Sequence, residues 1–182
     1  MYKTYTHSKM AIGAAVAAAS LISSSAVMAG KGRDKAPGKP GDDTIVGLAL
    51  ATEDFSGLVD AILCFGPPED NPVIDLLSAK RPFTVFAPNN EAFDTLIDNL
   101  PVDDICKLDS SFLFSVLAYH VTNGSRYANS VFDQDAPKMI KMFSGESIIA
   151  NSDFTITDLA EQTVTLGDLI NVKASNGVIH EI

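Results

Sequence analysis

The sequence predicts an α+β domain, an antiparallel sheet partly covered by helices, and three observations carry that prediction. Apolar residues recur at helical spacing as far as His120. From there to the C-terminus they give way to short runs of β-branched and aromatic residues, and Gly and Asn turn signals punctuate those runs. Helices in one half and strands in the other are the pattern of an α+β fold rather than of an alternating, parallel one.

Thr44 is an N-cap for a first helix, Ile45–Ala51. A second helix covers Ser56–Cys64, with Leu58, Val59, Ile62 and Leu63 at helical spacing. Phe65–Pro72 (FGPPEDNP) is a loop by its Gly and Pro content, and a short helix follows at Val73–Ser78. Phe83–Ala87 is a strand, stopped by Pro88, and Asn89 caps a helix from Asn90 to about Asn99. Asp109 or Ser110 caps the next helix, Ser111–His120, whose Leu113, Val116, Leu117 and His120 form one stripe. Strands are expected at Met139–Phe143, Ser147–Ala150, Phe154–Thr157, Thr163–Leu166, Leu169–Lys173 and Val178–Ile182. Ser144-Gly145-Glu146 marks one hairpin and Asn176-Gly177 another, the latter read as a type I′ turn.

The chain has 182 residues, 46% apolar and 20% charged, which fits one domain plus accessory segments. Lys3 and Lys9 precede an Ala-rich apolar stretch, Met10–Met28, that ends in Ala26-Val27-Met28-Ala29. This reads as a secretory signal peptide, residues 1–29, with cleavage between Ala29 and Gly30. The apolar part is short and interrupted by Ser, so it does not read as a membrane span, and no transmembrane segment is expected after cleavage. Gly30–Asp43 (GKGRDKAPGKPGDD) has too little apolar surface to offset its ordering entropy and is expected to be a flexible linker. Residues 44–182 form the domain, with 7 basic against 20 acidic residues and a net charge of −13. That charge repels phosphate backbones and argues against nucleic acid and anionic membranes as partners. Cys64 and Cys106 both survive cleavage, and an oxidising compartment favours their pairing over two buried thiols. On the chain-entropy model such a bridge stabilises by about 4 kcal/mol.

Three ordered motifs resemble a known family. Thr84–Phe93 reads TVFAPNNEAF, similar to the first signature box of the fasciclin domain, TVFAPTNEAF, with Asn90 as the departure. Tyr119-His120 matches the family's Tyr-His pair at a helix end, and Asn176–His180 reads NGVIH, the second box. The resemblance spans about Thr44–Ile182. It implies a wedge of β-strands with helices along one side, and a scaffold role for Thr84, Phe86, Pro88, Asn89, Phe93, Asn176, Gly177 and His180. The family continues beyond the second box through a final apolar strand resembling VLLP, whereas this sequence stops at Ile182, so its last strand is expected to be incomplete. Animal fasciclin domains bind integrins partly through the Tyr-His pair and an Asp-Ile before the second box. Here that position reads Asn171-Val172, without the carboxylate.

Candidate chemistry is sparse. His120 and His180 are conceivable as an acid/base or metal pair, but the resemblance implies imidazoles hydrogen-bonded to core carbonyls. There is no GxSxG, no EF-hand spacing, no GxGxxG and no P-loop, so no cofactor or metal is expected. The leading expectation is an exported, non-enzymatic module that binds an extracellular polymer, matrix protein or cell surface through Tyr119, His120, Tyr127 and strand edges. The alternative is a binding protein for a small apolar or lipid ligand, suggested by Phe112–Val116 and Met139–Phe143. A pocket of several hundred Å³ favours that alternative, and a filled core favours adhesion. A hydrolase ranks last, and requires His120 or His180 beside a Ser or Asp in an open cleft.

Overall fold

A computed structural model describes residues 43–79, 81–133 and 135–182, so the leader, its Ala29–Gly30 junction and nearly all of the linker lie outside the described residues. Six helices and eight strands follow in the order α1 (Ile45–Ala51), α2 (Ser56–Leu63), α3 (Pro72–Leu77), β1 (Phe83–Ala87), α4 (Asn90–Asp98), α5 (Ser110–Tyr119), β2 (Val121–Asn123), α6 (Ala128–Val131), β3 (Lys138–Lys141), β4 (Ser147–Ala150), β5 (Thr155–Thr157), β6 (Thr163–Thr165), β7 (Val172–Ala174) and β8 (Gly177–Glu181). Five of the six helices lie before Val121 and seven of the eight strands after Tyr119, with β1 set among the helices, giving the α+β class.

The strands form two four-stranded sheets, β2-β1-β8-β7 and β3-β4-β5-β6. The second is antiparallel throughout. The first is not, because β1 and β8 run parallel, with Phe83 opposite Gly177 and Phe86 opposite His180. The two signature boxes are thus adjacent strands at the centre of one sheet. All five residues of β1 and of β8 are buried, as both faces of a central strand must be.

Side-chain caps set the helix starts. The hydroxyl of Thr44 accepts from Gly47 N, Asn71 from Val73 N and Ile74 N, Asn89 from Ala92 N, and Asp109 from Ser111 N and Phe112 N. The cap is therefore Asp109, and Ser110 lies inside α5. One apolar core joins α1–α3 to β1 and β8 around Phe55, Phe83 and Ile179. A second fills the space between the sheets around Phe86, Val131, Ile140 and Ile156. Cys64 and Cys106 are joined in a disulfide that links the end of α2 to the turn before α5.

Several expected boundaries move for local reasons. Phe154 and Asn171 have φ of 63° and 62°, which no strand tolerates, so β5 begins at Thr155 and β7 at Val172. The turn between β7 and β8 is Ser175-Asn176, with Ala174 opposite Gly177, and neither turn residue has positive φ. It is therefore not the type I′ turn read from Asn176-Gly177, and Gly177 belongs to the strand. A Cβ there would lie 2.1 Å from the carbonyl oxygen of Phe83, so close approach of β1 is what requires glycine. At its end β8 stays paired: Ile182 N donates to Ala87 O at 2.9 Å.

Candidate functional site

The signature residues are spread along β1 and β8, from Asn176 beside α1 and α3 to Asn89 at the start of α4. Thr84 Oγ1 donates to Gly124 O at 2.7 Å and accepts from Arg126 N at 2.8 Å. Asn89 caps α4 and also donates to the Glu181 carboxylate at 3.1 Å, while the other oxygen of Glu181 accepts from Leu169 N at 2.9 Å. Asn176 accepts from Ile45 N at 2.9 Å and donates to Leu77 O. Asn90, the departure within the first box, ties α4 to α2: its side chain accepts from Gly57 N at 2.9 Å and donates to Glu53 O at 2.9 Å. These polar side chains hold backbone that no sheet or helix ladder satisfies.

Both histidines are held by main chain. His180 is fully enclosed; its Nε2 donates to Arg126 O at 2.8 Å, Nδ1 accepts from Asn171 N at 3.4 Å, and the ring stacks on Phe86 with centroids 5.7 Å apart. His120 Nδ1 donates to Val116 O at 2.7 Å, and its own carbonyl accepts from Phe86 N at 2.9 Å, which fastens the end of α5 to β1. Burial pushes both imidazoles below the usual histidine range by disfavouring the charged ring. Among the described residues neither ring bonds to a Ser hydroxyl or an Asp carboxylate.

Tyr119 and Tyr127 play different parts. The Tyr119 hydroxyl accepts from Leu159 N at 3.2 Å and reaches Ser147 O at 3.5 Å, so it pins the tip of the β5–β6 hairpin. Burial raises its pKa. Tyr127 starts α6 and is 38% exposed. Asn171, at the place of the family's Asp-Ile, accepts from Ala128 N at 2.7 Å and so caps α6 from a distance. Its left-handed φ suits Asn.

Between α4, α5 and the β3–β6 sheet lies a cavity of about 340 Å³. Phe93 and Leu96 of α4, Val116 of α5, Met142, Ile148 and Val164 give it apolar walls, and Tyr119, His120, Asp158 and Gln162 supply the polar groups. The α5 stripe read from the sequence therefore faces open space as well as core. Of the segments that suggested a cleft, Leu113, Val116 and Met142 reach it, whereas Phe112 and Met139 are exposed, at 50% and 72%. Asp158, Gln162 and Val164 were missed because the hairpin that carries them is brought over α5 by tertiary pairing alone. No periodicity announces such a wall.

Comparisons with known proteins agree with this architecture. A model of the fasciclin domain matches residues 68–182. Protein sll1483 of Synechocystis is 33% identical over 139 residues, covering 76% of this chain and 70% of that protein. Protein sll1735 of the same organism is 31% identical over 148 residues, covering 76% of this chain and 92% of that protein. The transforming growth factor-beta-induced protein ig-h3 of Sus scrofa is 28% identical over 141 residues, covering 76% of this chain and 18% of that protein. Among solved structures, a domain pair from the insect cell adhesion molecule fasciclin I superimposes with a TM-score of 0.57 at 15% identity, covering 76% of this chain and 48% of that one.

Proposed function

The chain belongs to the fasciclin domain family, and on that premise we propose that it is an exported, non-enzymatic adhesion module that engages an extracellular polymer, matrix protein or cell surface. The observation that carries this reading is the use made of the signature side chains. Thr84, Asn176 and His180 each hydrogen-bond main chain of another segment, and Asn89 caps its own helix while bonding the Glu181 carboxylate of β8. Groups so engaged serve rigidity, and the work passes to the exposed surface. Candidate contact residues there are Tyr127 and the outward-facing Met139 and Ile149, neighbours across β3 and β4. Export is supported by the leader residues 1–29, with cleavage at Ala29–Gly30.

Two measurements test it. The intact mass of the exported protein starts at Gly30 and is about 2 Da lighter than its reduced form, as one disulfide requires. Surface plasmon resonance over immobilised glycans and matrix proteins gives at least one saturable affinity. A retained leader contradicts export, and silence over every surface contradicts adhesion.

A second reading has its own support. A cavity of about 340 Å³ with apolar walls and a few polar groups fits a binding protein for a small apolar or lipid ligand.

A further inference from the structure

His120 has one ring nitrogen engaged and one free. Nδ1 lies 2.7 Å from the Val116 carbonyl, and because a carbonyl only accepts, Nδ1 carries the proton. The neutral ring then presents Nε2 as a bare acceptor. Nε2 makes no hydrogen bond among the described residues, yet among them no enclosed side-chain nitrogen or oxygen lacks a partner. Nε2 therefore touches open space. His120 lines two spaces, a pocket of about 40 Å³ inside the helical core and the cavity of about 340 Å³. The smaller has room for little more than water, so of the two only the larger has space for a ligand beside His120.

The rest of the lining sets the charge of an occupant. Among the described residues no Lys or Arg contributes to the cavity wall, so an anionic head finds no counter-charge there. The Asp158 carboxylate and the domain's net charge of −13 add repulsion. Asp158 is itself committed at one oxygen, which accepts from Ala160 N and Gln162 N at 2.8 Å each and shapes the hairpin turn. An apolar body with one donor group suits walls made by Phe93, Leu96, Met142 and Ile148.

We propose that this cavity binds an uncharged, mostly apolar molecule of about ten to fifteen non-hydrogen atoms, at ~30 Å³ for each water-sized group, whose hydroxyl donates a hydrogen bond to Nε2 of His120. The proposal rests on the second reading above, that the cavity is a ligand site. An acceptor that the ligand must satisfy discriminates against molecules of equal size that cannot donate.

The test uses the mature protein and four probes of nearly equal length: 1-decanol, its isomer 1-methoxynonane (which accepts but cannot donate), decanoate and decylammonium. Titrations followed by two-dimensional NMR give the affinities, and the imidazole nitrogen resonances report on His120 directly without any substitution. Decanol is expected to bind at least about threefold more tightly than the ether, the size of one net hydrogen bond, and to shift the His120 Nε2 resonance. His120→Gln and His120→Phe, if folded, lose that preference while still taking up the ether. Equal affinity for the isomers, an unmoved Nε2 resonance, or preference for either charged probe overturns the proposal while leaving a ligand site. Failure of all four to bind removes the ligand-site reading and the proposal with it.

Discussion

His180 donates from Nε2 to the carbonyl of Arg126 across 2.8 Å, joining the last strand to the loop after β2. Its Nδ1 accepts from Asn171 N, so one enclosed ring satisfies two backbone groups from segments that no ladder connects. Replacing it by Phe keeps the bulk against Phe86 but strands both groups. His180→Phe is expected to cost about 2–4 kcal/mol, the sum of two unmade buried hydrogen bonds, read as a lower urea midpoint with unchanged slope. An unchanged midpoint contradicts a scaffold role.

Acid should weaken the fold through the same rings. His120 and His180 both have folded pKa values lowered by burial from 6.5. Below pH 6.5 the unfolded chain binds more protons than the folded one, so stability is complete above that pH. It falls as pH drops from 6.5 towards the folded values, by up to about 1.4 kcal/mol per pH unit for each histidine, and then levels off. Urea midpoints measured from pH 7.5 down to pH 4.5 check the sign, and His180→Phe should show a shallower fall.

Gly177 and Gly124 make a contrasting pair. A Cβ at Gly177 meets the Phe83 carbonyl oxygen at 2.1 Å and Ile45 at 2.7 Å, whereas at Gly124, with φ of 89°, it meets nothing within 4 Å. Gly177→Ala should separate β1 from β8 and cost more than about 3 kcal/mol, while Gly124→Ala pays only backbone strain of about 1–2 kcal/mol. Thermal melts by circular dichroism rank the two, and equal losses contradict the close approach.

Tyr119 anchors the tip of the β5–β6 hairpin, which forms one wall of the cavity and whose β6 is exposed along its length. Tyr119→Phe removes the hydroxyl and little else. Amide exchange at Leu159 is expected to rise several-fold with less than about 1.5 kcal/mol lost globally, the worth of one net hydrogen bond. Unchanged exchange at Leu159 contradicts the anchoring role.

Much of this molecule was legible in its sequence wherever the signal was local. The first helix, its Thr44 cap, the Phe83–Ala87 strand and the Asn89 cap follow from residues within one turn of each other. The pairing of Cys64 with Cys106 followed from export and number rather than from geometry. The parallel alignment of β1 with β8 was not legible, because residues 83–87 and 177–181 carry no mark of mutual direction. Strand β2 and helix α6 are too short for a period to show, although Val121-Thr122 before Asn123-Gly124 is a brief strand-and-turn signal. The bond of His120 to a core carbonyl is the one its resemblance implies, whereas the cavity that Tyr119 and His120 both line exists only once α4, α5 and the second sheet are assembled. Asn171 likewise shows its use only in three dimensions, where its side chain caps α6 across 43 residues of chain.

As an adhesion module, the rigid scaffold proposed above acts by binding at its surface. Beads coated with the mature protein, settled on matrix-coated and cell-coated glass under calibrated flow, test it most directly. Retention is expected to saturate with coating density and to disappear when the coated protein is unfolded beforehand. Beads that detach like uncoated ones from every surface, folded or not, would contradict it.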